Sequence, residues 1–392
     1  MTTLKTSVLG IDFENPFILA SAPPSAKIES IDKAFSLGWG GAVFKTITPD
    51  NLEMIEASQR YAVCKFGERI FGLENIELLS HLTVKQWLDG IKFLRQKHPT
   101  KVQIASIMAP VIKEEWQKLV CIFNNSEVDA FELNFSCPHG MPEKGIGMAI
   151  GTHPEISAMI TQWVIEVAKK PVFVKLSPNV TNIAEIAQAV ENAGADGFAA
   201  INTVQSLMGI DLDTFEPMPN VNGKTTYGGY SGMAVKPIGL RCVAQIRQSS
   251  KLPILGMGGI ANWHDAAEYL TVGADVVQIC TEVMVNGYRI IDGLKKGLFS
   301  YLEDRGFDSP ADLKNKAIDK IIAHEALDKT RQVYPDINHN TCIKCKKCIM
   351  ICDESEHSAL SMENEQIKLD SKRCVGCSLC SHICPKKAII MR

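Results

Sequence analysis

The C-terminal part of the chain is marked by cysteines that repeat at a fixed spacing. Two runs each have three cysteines at intervals of three residues and a fourth after four: Cys342, Cys345, Cys348 and Cys352, then Cys374, Cys377, Cys380 and Cys384. This spacing is typical of chains that hold two [4Fe–4S] clusters, where the fourth cysteine of each run binds the other cluster. The predicted ligand sets are Cys342, Cys345, Cys348 and Cys384 for one cluster, and Cys374, Cys377, Cys380 and Cys352 for the other. The chain should therefore carry single electrons.

Two other uses of clustered cysteines fit this pattern less well. Zinc also takes four thiolates, but zinc motifs usually pair two C-x-x-C hooks. Disulfide frameworks belong to small secreted chains, and we expect no signal peptide, because the N-terminus lacks an apolar segment. The other cysteines are scattered: Cys64, Cys121, Cys137, Cys242 and Cys280. That distribution suits free thiols in a reducing cytoplasm, so we expect a cytoplasmic protein.

Length and composition are those of an ordinary globular chain. It has 392 residues, of which 46% are hydrophobic, and a net charge of -3. This charge gives no reason to expect binding to nucleic acid or to an anionic membrane. No apolar run approaches the ~20 residues that a membrane-spanning helix needs.

Short apolar segments alternate with amphipathic ones from residue 15 to about 305. The predicted strands are 17–20, 42–46, 102–107, 130–134, 172–176, 197–202, 254–256 and 276–280. The predicted helices follow at 28–37, 83–97, 112–123, 154–168, 182–193, 235–248, 263–272 and 285–303. Uniformly apolar strands separated by helices indicate a parallel sheet covered on both faces. Eight such units favour an α/β fold, the (β/α)8 TIM barrel; a doubly wound open sheet is the alternative.

The sequence divides into three parts. We expect the barrel over residues 1–305, a connector over 306–335 with a helix at 311–330, and a bacterial-type ferredoxin domain with two [4Fe–4S] clusters over 336–392. A barrel carries its chemistry at the carboxyl ends of its strands. Four polar residues hold such positions: Lys45, Asn134, Lys175 and Asn202. Because buried polar groups need partners, their convergence would indicate a ligand site.

Four motifs resemble the FMN barrel of the dihydroorotate and dihydropyrimidine dehydrogenases: 134–140 (NFSCPHG), 173–180 (FVKLSPNV), 202–204 (NTV) and 227–232 (YGGYSG). With the cysteine-rich tail, they make the chain similar over essentially its full length to the pyrimidine-reducing subunits of bacterial two-subunit NAD-dependent dihydropyrimidine dehydrogenases. This resemblance implies FMN in the barrel and two [4Fe–4S] clusters in the tail. It also implies reversible reduction of uracil and thymine to their 5,6-dihydro forms.

The resemblance also implies which residues hold the flavin. Lys45 and Lys175 match lysines that contact it, where a cation stabilises the negative charge of the reduced ring; an ion pair at the barrel end is the alternative. Ala20 and Ser21 match the loop that backs the flavin. The flavin phosphate needs backbone N–H donors and close approach. The candidates at the ends of the last units are Ser231, Gly232, Gly258, Gly259, Cys280 and Thr281.

Pyrimidine recognition is implied for amide side chains. A pyrimidine ring alternates N–H donors with C=O acceptors, and asparagine offers both without net charge. The matching residues are Asn75, Asn134 and Asn202, with Thr203 beside the last, and Ser136 as a further candidate for binding substrate or flavin. Glu77 matches a family residue in the loop of Asn75; an acid at a helix start is its alternative.

Cys137 is the predicted proton donor. Reduction of uracil needs a hydride at C6 from one side of the ring and a proton at C5 from the other. A thiol with an ordinary pKa of ~8.5 can donate this proton near neutral pH, and its thiolate can take it back. A buried, inert cysteine is the alternative, but the surrounding motif favours catalysis.

Two other functions stay open. A dihydroorotate dehydrogenase would share the asparagines and the cysteine, but it would need a group for the substrate carboxylate. A non-catalytic Fe–S electron-transfer protein would carry clusters without flavin. Because the sequence has no dinucleotide-binding fingerprint, we expect a separate FAD- and NAD(P)-binding partner subunit, in a hetero-oligomer, to take electrons from NAD(P)H.

Overall fold

The structure, a computed structural model, describes residues 1–52, 55–135 and 148–392. These residues form two compact units, Met1–Ile321 and Ile322–Arg392. Within the described ranges, no helix is both long and apolar enough to cross a membrane.

The first unit is built on a closed barrel of eight parallel strands. The strands are Phe17–Leu19, Gly41–Val43, Val102–Ile107, Ala130–Asn134, Val172–Leu176, Gly197–Ala200, Ile254–Met257 and Val276–Ile279. Each strand pairs with its neighbours in sequence, and the eighth pairs with the first through Gln278 and Ile18. This closure confirms the predicted (β/α)8 barrel and excludes the open sheet.

Helices alternate with the barrel strands. The α-helices of this unit are Ile28–Leu37, Val84–Lys97, Lys113–Asn124, Met148–Gly151, Pro154–Ile165, Ile183–Asn192, Lys236–Ser249, Trp263–Thr271, Thr281–Asn286 and Ile290–Arg305. Local sequence sets several starts, as where the Thr83 side chain accepts a hydrogen bond from the Gln86 N–H. The helix predicted at 285–303 is two helices, because Gly287 has φ 79° and ends the first.

The two faces of the barrel strands bury different cores. Side chains alternate along a strand, so one face packs against the helices in an apolar cluster that includes Trp39, Trp87 and Trp116. The other face forms a second cluster inside the barrel: Ile18, Val43, Val102, Ile104, Ala130, Phe173, Ala199, Leu255, Met257 and Val276. Val8 and Phe13 join this cluster from the N-terminal hairpin of strands Thr6–Val8 and Ile11–Phe13.

A four-stranded antiparallel sheet, here called the loop sheet, is formed by the connections after the second and sixth barrel strands. Its strand order is Val204–Ser206, Gly228–Ser231, Arg69–Asn75 and Tyr61–Phe66. The two connections meet where Gly229 pairs with Asn75 and Tyr230 with Glu74. A small hairpin, Gly209–Ile210 with Pro217–Met218, extends the later connection.

The segment after the barrel differs from prediction. The helix expected at 311–330 is wrong, because this region contains three short 3-10 turns, Pro310–Leu313, Ile318–Lys320 and His324–Ala326. Asn315 adopts φ 67°, which interrupts any helix. Leu313 and Ile318 on either side insert into the large apolar cluster of the first unit.

The second unit repeats one pattern twice. Helix Lys347–Glu354 contains the last two cysteines of the first run, and helix Leu379–Ile383 contains the third cysteine of the second. Two antiparallel strand pairs complete the unit: Pro335–Ile337 with Ile389–Met391, and Leu360–Glu363 with Gln366–Leu369. Leu360, Ile367 and Ile389 form its small core together with buried cysteines.

Candidate active site and cysteine pockets

A cavity lies at the carboxyl ends of the barrel strands. It contains about 1130 Å3 of unfilled space, part of which is open to solvent. The loop sheet contributes Tyr61, Leu73, Asn75 and Tyr230 to its lining. A concave, partly enclosed space of this size is typical of sites for small molecules and cofactors.

The structure brings most of the predicted barrel-site residues together. Those that line this single cavity are Ala20, Ser21, Lys45, Asn75, Asn134, Lys175, Asn202, Thr203, Ser231, Gly232, Gly258, Gly259, Cys280 and Thr281. Glu77 lines it as well. Ser136 and Cys137 lie outside the described residues.

Both predicted flavin-contacting lysines are buried and paired with carboxylates. Lys45 Nζ lies 2.8 Å from Glu77 Oε1, and Lys175 Nζ lies 3.6 Å from Glu132 Oε1. Burying a charge is costly unless it is paired, so these carboxylates explain how the cations remain in the barrel mouth. Each lysine is therefore both a member of an ion pair and a lining group of the cavity.

Glu77 also accepts a hydrogen bond from the Tyr61 hydroxyl. Burial raises the pKa of Tyr61 above its usual range, and Glu77 raises it further. The phenol therefore stays protonated and acts as a donor. Tyr61 pairs with Asn75 in the loop sheet, so the hairpin of this sheet fixes the position of the Glu77 carboxylate.

A chain of hydroxyl groups supports Asn134. Asn134 Nδ2 donates to Thr46 Oγ1 at 2.8 Å. The same hydroxyl lies 3.1 Å from Ser21 Oγ and 3.0 Å from Ser106 Oγ. These contacts join the ends of the first four barrel strands and hold the amide in one orientation.

Asn75 and Asn202 both make hydrogen bonds with backbone groups. Asn75 Nδ2 donates to the Gly229 carbonyl at 3.2 Å, and its Oδ1 accepts from the Glu77 N–H at 3.3 Å. The Asn202 N–H donates to the Leu176 carbonyl of the neighbouring strand at 3.0 Å. The three asparagines therefore enter the cavity from the loop sheet and from two separate strand ends.

Glycines and hydroxyls form a close-packed wall on another side of the cavity. A Cβ on Gly259 would lie 2.7 Å from both the Gly232 carbonyl oxygen and the Lys236 nitrogen. Thr281 Oγ1 donates to Ser231 Oγ at 2.8 Å, and Ser231 Oγ donates to the Leu73 carbonyl at 3.1 Å. Such backbone-lined walls after the seventh and eighth strands are where barrels commonly bind phosphate.

Cys280 lies in the same wall but is a poor acid. Burial raises the pKa of its thiol to about 12, although Lys175 opposes this shift. The thiol donates weakly to Met284 Sδ at 3.7 Å. It is therefore protonated at neutral pH and contributes bulk rather than charge to the wall.

Sequence reasoning missed two polar residues inside the barrel. Glu132 is fully buried in the fourth strand, and its Oε2 accepts from Gln278 Nε2 of the eighth strand at 2.7 Å. Gln278 lines the cavity, and its Oε1 has no hydrogen-bond partner among the described residues. The available signal was a charged or amide residue within an otherwise apolar strand, which a buried sheet rarely tolerates without reason.

The eight C-terminal cysteines surround two small pockets. One is lined by Cys342, Cys345, Cys348 and Cys384, and the other by Cys352, Cys374, Cys377 and Cys380. The pockets have similar unfilled volumes, about 370 and 340 Å3. No three His, Cys, Asp or Glu side chains of the described part of the chain meet around a single-ion position. Each pocket thus takes its fourth cysteine from the other run.

Backbone geometry repeats between the two runs. Lys344 and Gly376 occupy equivalent positions and have φ 57° and 71°, and Lys346 and Ser378 have 59° and 67°. The fourth cysteine of each run accepts a backbone N–H: Ala359 to Cys352 Sγ at 3.3 Å and Ala388 to Cys384 Sγ at 3.2 Å. Hydrogen bonds to sulfur of this kind tune the potential of iron–sulfur clusters.

The fold and sites define a class of oxidoreductases with a (β/α)8 catalytic barrel and an iron–sulfur domain. Residues 3–302 match the family model "Dihydroorotate dehydrogenase", and residues 335–391 match "4Fe-4S dicluster domain". The chain belongs to the dihydroorotate dehydrogenase family, which confirms the resemblance that its motifs indicated. The 4Fe–4S domain and the dehydrogenase barrel together imply iron–sulfur clusters and a flavin.

Curated relatives fall into two groups. The NAD-dependent dihydropyrimidine dehydrogenase subunit PreA of Escherichia coli (strain K12) is 39% identical over 97% of this chain and 93% of its own length. The chloroplastic dihydropyrimidine dehydrogenase (NADP(+)) of Arabidopsis thaliana is 35% identical over 84% of this chain and 80% of its own. The catalytic subunit of dihydroorotate dehydrogenase B (NAD(+)) of Pyrococcus abyssi (strain GE5 / Orsay) is 37% identical over 80% of this chain and 99% of its own.

Proposed function

We propose that the chain is the pyrimidine-reducing subunit of a dihydropyrimidine dehydrogenase. It reversibly reduces uracil and thymine to their 5,6-dihydro forms, with electrons from NAD(P)H that arrive through a partner flavoprotein and two [4Fe–4S] clusters. One observation carries this proposal. The similarity to the PreA subunit extends over 97% of the chain. The match to the Pyrococcus dihydroorotate dehydrogenase covers 99% of that protein but only 80% of this chain.

The cavity residues suit FMN, which when bound exchanges a hydride with the substrate. Lys45 and Lys175 would face the pyrimidine edge of the flavin ring, where positive charge favours the reduced form. The wall formed by Gly232 and Gly259 leaves no room for a Cβ at Gly259 and would bind the phosphate through backbone N–H groups. Ser231 and Thr281 add hydroxyls to that wall.

Substrate recognition falls to the three asparagines. Asn134 is oriented by the Thr46 hydroxyl, and Asn75 by backbone groups of the loop sheet. Amide groups of this kind would match the alternating donors and acceptors of a pyrimidine. Asn202 and Thr203 would bind the same ring from the sixth strand end, and Ser136 remains a candidate for substrate or flavin.

Cys137 is proposed as the group that moves the proton at C5. It follows the fourth barrel strand three residues after Asn134, so the substrate-binding amide and the acid share one segment. A thiol of ordinary pKa can both donate and recover a proton near pH 7. Cys280, which belongs to the described lining of the cavity, is unsuited to this step because its pKa is raised to about 12.

The two cysteine pockets are proposed to hold one [4Fe–4S] cluster each. The first set is Cys342, Cys345, Cys348 and Cys384, and the second is Cys374, Cys377, Cys380 and Cys352. The match to a dicluster domain supports two clusters rather than one. They would relay single electrons between an FAD- and NAD(P)-binding partner subunit and the FMN site.

A substrate panel tests this function. The holoprotein is reduced with an artificial one-electron donor, and re-oxidation is followed at the flavin band after addition of uracil, thymine or orotate. We expect uracil and thymine to re-oxidise the flavin and orotate to be inert. Rapid re-oxidation by orotate alone would refute the proposal, and a purified chain without flavin absorbance would favour a non-catalytic electron carrier.

Two further measurements test the parts. Cys137→Ala should lower uracil reduction by ~10²-fold or more while FMN stays bound. Cys121→Ala is the matched control, because this exposed thiol lies away from the cavity lining. Without a second protein, the chain should not reduce uracil with NADH, and rapid turnover under those conditions would remove the need for a partner subunit.

Dihydroorotate oxidation is the second candidate, and the 37% identity to the Pyrococcus enzyme favours it. That substrate carries a carboxylate, which needs a cation. Both lysines of the described cavity lining already pair with carboxylates, those of Glu77 and the fully buried Glu132. A carboxylate-bearing substrate would compete with these partners, so the electrostatics of the described cavity favour a neutral pyrimidine.

A further inference from the structure

Three polar side chains share a layer inside the barrel, directly below the cavity. Glu132 lies two positions after Ala130 on its strand, Lys175 two after Phe173 and Gln278 two after Val276. Side chains two positions apart share a face of the strand, and the earlier residue of each pair belongs to the interior cluster, so all three polar side chains point into the barrel. All three are buried, Glu132 completely. Lys175 and Gln278 line the cavity and Glu132 does not, so among the described residues Glu132 acts on the cavity through its contacts with these two neighbours.

The hydrogen bonding of Glu132 is asymmetric. Its Oε2 accepts from Gln278 Nε2 at 2.7 Å. Its Oε1 lies 3.6 Å from Lys175 Nζ and has no hydrogen-bond partner among the described residues. The carboxylate is therefore held firmly on the Gln278 side and acts on Lys175 mainly through charge.

A purely structural role explains this arrangement poorly. Replacing a buried ion pair by apolar groups of similar size is often neutral or stabilising, and apolar side chains form the interior cluster next to this layer. A buried carboxylate with one oxygen short of a hydrogen bond costs stability. Features that cost stability next to a ligand cavity point to a functional requirement.

We propose that Glu132 is a positioning residue that sets the reduction potential of the flavin, acting through Lys175 and Gln278. This rests on the proposed binding of FMN in the cavity. The Lys175 cation favours the negatively charged reduced ring, and the Glu132 carboxylate offsets part of that charge. The pair thereby keeps the flavin from becoming too strong an electron acceptor to pass electrons on to a pyrimidine.

The test measures the flavin midpoint potential of four purified holoproteins. Glu132→Gln removes the charge and keeps the shape, so it should shift the balance towards reduced flavin by about tenfold or more, which is about 30 mV upward for a two-electron couple. Glu132→Asp keeps the charge but withdraws it from Lys175, so its upward shift should be smaller. Together with wild type, these variants form a graded series.

Gln103→Leu is the matched control. Gln103 is also fully buried in a barrel strand and lacks partners for its amide among the described residues. It alternates with Ile104 of the interior cluster, so it faces the helices and not the cavity. This variant should change the unfolding temperature and leave the potential unchanged.

The outcomes separate the two proposals. Equal potentials in wild type, Glu132→Asp and Glu132→Gln would overturn the role of Glu132 and leave the proposed function intact. A shift in Gln103→Leu as large as in Glu132→Gln would also overturn it, because any buried polar group would then suffice. A wild-type chain that binds no flavin would overturn the proposed function and this inference with it.

Discussion

The glycine wall of the cavity offers the sharpest test of the site. Gly259 has φ 72°, and a Cβ there would lie 2.7 Å from two backbone atoms, Gly232 O and Lys236 N. Gly232 O cannot move without its loop, and Lys236 N cannot move without the start of the helix Lys236–Ser249. Gly306 provides the matched position, because it has φ 69° and an open environment with nothing within 4 Å of a Cβ.

The two alanine variants separate backbone strain from contact. Gly306→Ala should cost only the left-handed conformation, about 1 kcal/mol of unfolding free energy. Gly259→Ala carries the same cost plus the overpacking of two backbone groups, about 1–3 kcal/mol more. The displaced wall should also reduce FMN retention in Gly259→Ala alone.

Urea unfolding and the ratio of flavin to protein absorbance measure the two effects. The expected result is a total loss of about 2–4 kcal/mol and lowered flavin content for Gly259→Ala, against a small loss and full flavin content for Gly306→Ala. Equal stability and equal flavin content in the two variants would refute the close-packed wall as a binding element.

Three further predictions concern stability. Tyr269→Phe should cost about 1 kcal/mol in urea unfolding, because the buried hydroxyl donates to the Gly258 carbonyl at 2.7 Å; no loss would mean that water replaces it. Burial raises the pKa of Glu74, so the folded state binds a proton more tightly than the unfolded state. The resulting stability is fully present below the unfolded pKa of ~4.3 and is lost as pH rises through the pKa of the folded state. Glu74→Gln should therefore match wild type near pH 4 and become the more heat-stable protein towards pH 8; a constant difference would contradict this. Lys344→Gly should stabilise the iron–sulfur unit by up to about 1 kcal/mol in chemical unfolding, because Lys344 has φ 57° where the second run has Gly376; a less stable variant would show that the lysine has another role.

The barrel was predictable because its strands are buried on both faces and its helices are amphipathic. Strands Val102–Ile107, Ala130–Asn134 and Val172–Leu176 have the predicted bounds. Four of the other five strands end earlier than predicted, as does the second strand, which stops at Val43 so that Lys45 lies two residues beyond it. The apolar pattern continues past the residue at which a strand ends and the chain turns towards the cavity. The sequence alone therefore does not show where the strand stops.

The loop sheet and the 3-10 turns were not predictable in the same way. The strands Arg69–Asn75 and Gly228–Ser231 pair across more than 150 residues of sequence, as between Asn75 and Gly229, and neither has a strong period of two. Likewise, a helix was predicted over 311–330, but the burial of Leu313 and Ile318 against the barrel decided the backbone. Tertiary packing overrides local preference in both cases.

The polar partners of the cavity show the same limit. The motifs indicated Lys45 and Lys175, whereas the carboxylates that face them come from a distant loop and from another strand. Glu77 and Glu132 become recognisable as partners only once the barrel is closed. A sequence can show that a charged residue lies near a strand end, but its ion-pair partner becomes known only from the folded barrel.

The cavity lining comes from two parts of the fold, the ends of the barrel strands and the loop sheet. These two parts can change independently during evolution. The barrel part, which includes Lys175 and Gln278, lies on strands whose other residues form the core, so most changes there would disturb folding. The loop sheet, which supplies Asn75 and Tyr230, is held by strand pairing between two surface connections. Evolution could therefore replace the loop sheet while the barrel residues of the cavity stay unchanged. New cyclic substrates would then be reached by changing surface loops and not by changing the barrel.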